Sequence, residues 1–293
     1  MTSVTATSVP AHALTIDVED YFQVQAMAGA VPRDRWDALP RRVEANTDRL
    51  LAMCAAAGVH GTFFTLGWVA DRHPALVRRI VDAGHELASH GYWHGRADEQ
   101  TPEFFREDVR RARRTLEEAG GVAVRGYRAP TFSIGPRNAW AYSVLQEEGY
   151  SYSSSVYPVR HDLYGTPDAP RFPHHPTRES DRLWEIPMTT VRLWGRNLPV
   201  SGGGYFRLLP YSVFRLGLSR FARAERKPGL FYLHPWEIDP DQPRVAGLPR
   251  TSRFRHYVNL RRTEGRLQRL LRDFRWDRMD RVFAPVLSEP EPA

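Results

Sequence analysis

Residues 12–20 read HALTIDVED, a largely apolar run from His12 to Val18 that closes on three acids, Asp17, Glu19 and Asp20. An apolar run without strict alternation describes a strand covered on both faces, the kind found in parallel sheets. Acids at the C-terminal end of such a strand stand where α/β barrels collect their reactive groups. Three carboxylates within four residues repel one another, so a cation or a guanidinium is expected among them. The plain alternative is a solvated acidic loop.

Outward from this strand the chain alternates. A helix is predicted over Arg41–Ala57, stopped by Gly58, then a strand over Val59–Leu66, a helix over Pro74–Ala83 and a strand over His85–Ser89. Thr101 and Gly120 bracket a helix over Pro102–Ala119 as cap and stop. Strands over Arg125–Arg128 and Tyr150–Ser155 flank a helix over Pro136–Glu148, and two more, Trp184–Pro187 and Leu230–His234, flank one over Pro210–Arg226. Proline, histidine and glycine make 158–180 an ordered loop, and a last helix spans Phe254–Phe274. Strand and helix in alternation indicate βα units. About seven parallel strands without an internal repeat describe an α/β fold, a distorted (β/α) barrel with a C-terminal extension. The expected organisation is a tail over 1–11, a main domain over 12–240, a helical extension over 241–287 packed on the same domain, and a tail over 288–293.

With 293 residues, 42% apolar and 26% charged, the composition is that of an ordinary globular protein, and no run approaches the ~20 apolar residues that cross a bilayer. Met1–Ala11 shows neither the basic start nor the apolar stretch of a secretory leader, so a cytoplasmic protein is expected. One cysteine, Cys54, excludes an intrachain disulfide. The net charge of +7 is almost all arginine, Lys227 being the single lysine, and acids are interspersed throughout, so nucleic acid is not an expected partner. A weak attraction to anionic phospholipid or to a phosphorylated sugar carrier fits the charge.

Three further segments carry chemistry at predicted strand ends. SHGYWH places His90 and His94 at i and i+4, so a helical turn there would bring both imidazoles to one divalent ion. GYRAPTF ends a strand on Arg128, whose guanidinium can hold a carboxylate ionised. LFYLHPWE ends another on His234, a candidate general acid. Each alone is weak, and their joint placement is what counts.

Together these motifs resemble the NodB-type polysaccharide deacetylases of carbohydrate esterase family four over residues 12–240. The resemblance implies that Asp17 is the catalytic base, that His90 and His94 hold a metal with a carboxylate of TIDVED, that Arg128 positions the base and that His234 is the acid. It also implies one divalent ion, zinc with cobalt, nickel or manganese as alternatives. The implied reaction is hydrolysis of N-acetyl groups from an amino-sugar polysaccharide or its oligosaccharide precursor, releasing acetate. The backbone N–H of Thr131 would steady the oxyanion, while Trp184 and Tyr205 stand out among the aromatic groups that could stack on sugar.

A narrower group, bacterial deacetylases encoded with exopolysaccharide and protein-sorting systems, is similar over nearly the whole chain, through DVED (Asp17–Asp20), RHDxYG (Arg160–Gly165), WEIP (Trp184–Pro187) and GGGYFR (Gly202–Arg207). With no leader read in Met1–Ala11, a nascent or lipid-linked saccharide at the inner face of the membrane is expected, with peripheral association with membrane-bound polysaccharide synthesis machinery. Two departures matter. DxED replaces the family's adjacent Asp pair, so the metal carboxylate is Glu19 or Asp20, and alternation, which puts Asp17 and Glu19 on one face, favours Glu19. Ser153 stands where the family has a further Asp, leaving the support of Arg128 to be found. The triple glycine lacks phosphate-loop spacing and is expected to permit close backbone approach. A second reading drops the metal, a hydrolase of small cyclic amides or ureides on the same fold, and a third is a carbohydrate-binding protein without catalysis. The intact HxxxH with its carboxylate argues against the second, and the joint presence of Asp17, His90, His94, Arg128 and His234 against the third.

Overall fold

The computed structural model describes residues 11–288; the expected tails, 1–11 and 288–293, lie outside these but for their innermost residues. All seven residues of β1 (His12–Val18) are buried, as its largely apolar run leads one to expect. Next to it, in chain order and all parallel, lie β2 (Thr62–Thr65), β3 (Glu86–Ser89), β4 (Gly126–Tyr127), β5 (Tyr152–Ser153) and β6 (Trp184–Glu185). A separate antiparallel hairpin follows, β7 (Thr190–Leu193) and β8 (Arg196–Pro199). β9 (Leu230–Leu233) pairs with the other edge of β1, and the two-residue β10 (Trp276–Asp277) pairs with the start of β1. The order β9-β1-β2-β3-β4-β5-β6 is thus a curled half-barrel of seven parallel strands, as expected, to which β10 adds an eighth. Among the described residues no strand pairing closes β6 onto β9; there Thr189 Oγ1 accepts from the Leu230 N–H at 2.6 Å.

Side-chain alternation sorts the core into two layers. Leu14, Ile16 and Phe63 face outward into a cluster with Leu50 of α1 (Val43–Ala57) and Leu76 of the Pro74–Asp82 helix. Ala13, Phe64 and Ala88 face inward with Tyr152, Met279 and Phe283. Asp17, two residues from Thr15 and four from Ala13, shares the inward face.

Several local expectations are corrected. Residues 90–94 do not form a helix: Gly91 and His94 have φ of +75° and +51°. Gly67–Arg72 adds an unexpected helix, α2, before the Pro74–Asp82 helix, α3. The next helix, α4 (Pro102–Gly120), is capped by Thr101 as expected but runs through Gly120, which packs on Leu87, and stops at Gly121 with φ +69°. After α5 (Trp140–Glu147), α6 (Gly203–Leu208) and α7 (Tyr211–Glu225), the last predicted helix is two, α8 (Arg250–Tyr257) and α9 (Leu260–Asp273), split at Asn259 in the left-handed region. No helix of the described residues is long and apolar enough to cross a membrane.

The C-terminal segment is built into the core. Met279 and Phe283 plug the barrel interior, and the Met279 N–H donates to Thr62 Oγ1 at 2.8 Å. Phe283→Ala is therefore expected to cost about 3–5 kcal/mol, the figure for a large core truncation. Urea unfolding measures it; a loss within about 0.5 kcal/mol, as at surface positions, would mean that the segment is merely appended.

Candidate metal centre

Parallel strands present their C-terminal ends on one rim, and five of the sequence-picked residues meet there. Asp17 is the penultimate residue of β1 and Glu19 lies just past its end; His90, Arg128 and His234 directly follow β3, β4 and β9. His94 arrives on the loop after β3.

Arg128 is wholly buried and forms the centre of one network. Its NH1 donates to Asp17 Oδ1 at 2.6 Å and to Thr15 Oγ1 at 2.8 Å, its Nε to the Ser154 carbonyl at 3.1 Å, and its NH2 to Ser154 Oγ at 3.2 Å. Its guanidinium lies 4.0 Å from the centre of the Phe64 ring. The support left open by the absent acid thus comes from Ser154 and Thr15, not from Ser153, whose hydroxyl turns to Ser155. A buried guanidinium needs such partners, because losing the one carboxylate would strand a charge away from water.

Glu19, His90 and His94 bring one ligand atom each to within 4.8 Å of one another. The His90 Nδ1 lies 2.8 Å from the Arg128 carbonyl, which can only accept, so Nδ1 carries the proton and Nε2 is left with its lone pair. Burial pushes His90 down to about 3, which keeps the ring neutral. Glu19 Oε1 accepts from Trp236 Nε1 at 3.4 Å. Its Oε2 lies 2.7 Å from His94 Nε2, but out of line for a hydrogen bond, so this buried oxygen has no donor. Burial opposes the charge on Glu19, yet His94 and His234 bring its pKa below the usual carboxylate value. Two imidazole nitrogens and an unsatisfied carboxylate oxygen fit a first-row divalent cation. The loop reaches this geometry without a helix because Asp108 of α4 accepts the N–H groups of Tyr92 and Trp93, at 2.8 and 3.2 Å.

Opposite stands His234, with Nε2 3.4 Å from Glu19 Oε1 and 3.9 Å from Asp17 Oδ2. Its Nδ1 donates to Glu237 Oε1 at 2.7 Å, and Glu237 Oε2 accepts from Arg207 Nε at 2.6 Å. Burial disfavours the imidazolium, but Glu19, Glu237 and Asp17 overcome it and raise His234 to about 9. Glu237, likewise opposed by burial, is held down to about 2 by Arg207 and His234. The expected close approach of the triple glycine is here: a Cβ on Gly203 would lie 2.0 Å from Glu237 Oε1, and Gly202, at φ +96°, abuts Tyr232.

The remaining candidates divide. Asp20 turns away and caps α1, accepting from the N–H groups of Arg42 and Val43 at 2.7 and 3.0 Å, which leaves Glu19 as the acid in the cluster. Thr131 has φ +58°, a backbone position costly for a β-branched residue, in the turn after Arg128. Tyr205 lines a cleft of about 380 Å³ that runs from Tyr232 and Trp236, beside His234, to Tyr164 and Arg255. Trp184 stays apart, its ring 3.9 Å from that of His175 and in the apolar cluster of Tyr152 and Phe283. Sequence reasoning overlooked Glu237, Arg207 and Asp108. Glu237 had a usable signal, an acid three residues after His234, whereas Asp108 is one acid among many on a helix.

Residues 35–152 match the family model for polysaccharide deacetylase, and residues 154–284 match a domain of unknown function (DUF3473). The chain is 29% identical over 84 residues to a peptidoglycan-N-acetylglucosamine deacetylase of Bacillus cereus, covering 29% of this chain and 30% of that protein. It is 31% identical over 87 residues to a chitooligosaccharide deacetylase of Bradyrhizobium, covering 30% and 37%. The matched stretch thus spans about a third of the length of these relatives. The crystal structure of a Mycobacterium smegmatis protein named for the same family superposes with a TM-score of 0.57 at 21% identity, over 92% of this chain and 93% of that one, which shows a shared fold. By the sequence match over 35–152, the chain carries a domain of the polysaccharide deacetylase family.

Proposed function

We propose that the protein hydrolyses N-acetyl groups of an amino-sugar polysaccharide, or of its oligosaccharide precursor, with a divalent cation, zinc foremost, held by Glu19, His90 and His94. The observation that carries this reading is the buried, donorless Glu19 Oε2 facing two imidazoles, beside a carboxylate that already has its own counter-ion. A cation held there would polarise the acetamide carbonyl as a Lewis acid and acidify a neighbouring water, from about 15.7 towards 7. Asp17, oriented by Arg128, takes the proton of the attacking water. His234, charged and aimed by Glu237, gives its proton to the departing amine, so that the C–N bond breaks and acetate is released. The Thr131 N–H is the proposed donor to the oxyanion, and Tyr205 lines the route by which neighbouring sugar units enter. The named activities of the relatives, on peptidoglycan N-acetylglucosamine and chitooligosaccharide, supply the substrate class to try first.

Acetate release from N-acetylated chitooligosaccharides should be lost with a chelator and restored by zinc, cobalt, nickel or manganese; turnover unaffected by chelation would rule out the metal. Asp17→Asn should lower kcat by about 10²–10⁴ while the protein still binds its cation, in line with loss of a positioned base. Because Glu237 raises the pKa of His234, Glu237→Gln should shift the alkaline fall of the rate to lower pH. An unmoved alkaline limb would show that His234 is not the acid.

A further inference from the structure

The charge of the chain is unevenly placed. Of its 41 basic and 34 acidic residues, 190–229 hold eight basic residues and one acid, Glu225, which leaves the remainder balanced at 33 of each sign. The whole excess of +7 therefore lies in one stretch of forty residues. That stretch also carries five of the nine large apolar side chains exposed among the described residues: Trp194 at 90%, Leu216 at 68%, Val213 at 51%, Leu208 at 50% and Leu198 at 41%. Exposed apolar groups and unbalanced positive charge each cost solubility or stability, and their coincidence calls for a partner that satisfies both.

The two features share a surface. Trp194 and Gly195, with φ of +49° and +74°, form the tip of the β7–β8 hairpin, and Arg192 and Arg196 are exposed on either side. The hairpin packs on α7 through Val191, Val200 and Phe221. On α7, Val213, Leu216, Arg220 and Arg223 follow one another at spacings of three and four and so lie along one exposed stripe. Gly217 belongs to the same stripe, and Val200 of the hairpin seats there, 2.7 Å from where a Cβ would be. Within the patch Glu225 is bound to Arg171, while Arg192, Arg196, Arg220 and Arg223 have no carboxylate partner among the described residues.

We propose that this hairpin tip and the adjoining face of α7 seat the protein on an anionic bilayer. Trp194 enters the headgroup boundary, where an indole is at home, Val213 and Leu216 lie against it, and the free arginines pair with lipid phosphates. The polar-tipped aromatic at a protruding turn, ringed by guanidinium groups, matches the layering of such a surface. A soluble polyanion would meet the guanidinium groups but leave Val213 and Leu216, 51% and 68% exposed, without an apolar phase to enter. This inference does not depend on the deacetylase reading, and either can fail alone.

The test is co-sedimentation of the full chain with vesicles of phosphatidylcholine alone and of equal parts phosphatidylcholine and phosphatidylglycerol. Binding to the mixed vesicles only is expected, weakening as salt is raised. Trp194→Ser, and separately the pair Arg192→Gln and Arg196→Gln, should each lower that binding by about tenfold or more. Neither change should alter the thermal midpoint or acetate release from a soluble oligosaccharide. Absence of binding to the mixed vesicles, or binding that both variants retain, overturns the proposal. So does lipid-free self-association that Trp194→Ser abolishes, which would make the face an interface between copies.

Discussion

Two buried acids at the end of one strand set the terms for this structure. Asp17 and Glu19 are 2% and 1% exposed, and a carboxylate so placed is tolerable only with a counter-charge or with donors to each oxygen. The protein answers each acid differently. Asp17 has an internal cation, Arg128, itself anchored by Thr15 and Ser154. Glu19 has imidazoles on two sides, His234 among them held charged, and one oxygen, Oε2, that no hydrogen-bond donor satisfies. Both answers come from the one rim on which parallel strands end: Arg128 follows β4, His90 and His94 follow β3, and His234 follows β9, which pairs with β1.

The two matched segments of the chain meet at this site without a seam. His90, His94 and Arg128 belong to the stretch that matches the deacetylase family, while His234 and its supports Glu237 and Arg207 belong to the stretch of unknown function. The latter also supplies Tyr205 and the cleft beside His234, and β10 runs along the foot of β1. Gly203 shows how tight the junction is, since any side chain there would collide with the carboxylate that orients His234.

Much of this was legible in the sequence because it rests on patterns with a short physical period. The largely apolar run of β1, the strand ends carrying Asp17, Arg128 and His234, and the alternation that prefers Glu19 to Asp20 all follow from residue order. What escaped depended on partners distant in sequence. The HxxxH spacing suggested a helix, but the loop is held by Asp108 from α4, and Gly91 supplies the positive φ that a helix forbids. The β7–β8 hairpin turns on Trp194–Gly195 in place of the Asn-Gly that usually signals such a turn. Asn259, in the left-handed region, ends one helix just before Leu260 opens the next, whose own apolar periodicity is unbroken. Ser154 was passed over for Ser153 because the register of a two-residue strand cannot be read from its own sequence.

The most direct measurement of the central claim is an anomalous difference map from crystals of the protein grown with zinc. The account predicts one strong peak bounded by Glu19 Oε2 and the Nε2 atoms of His90 and His94, with Asp20 remote from it. A map in which the peak lies elsewhere, or in which these three groups hold no metal at saturating zinc, would contradict it.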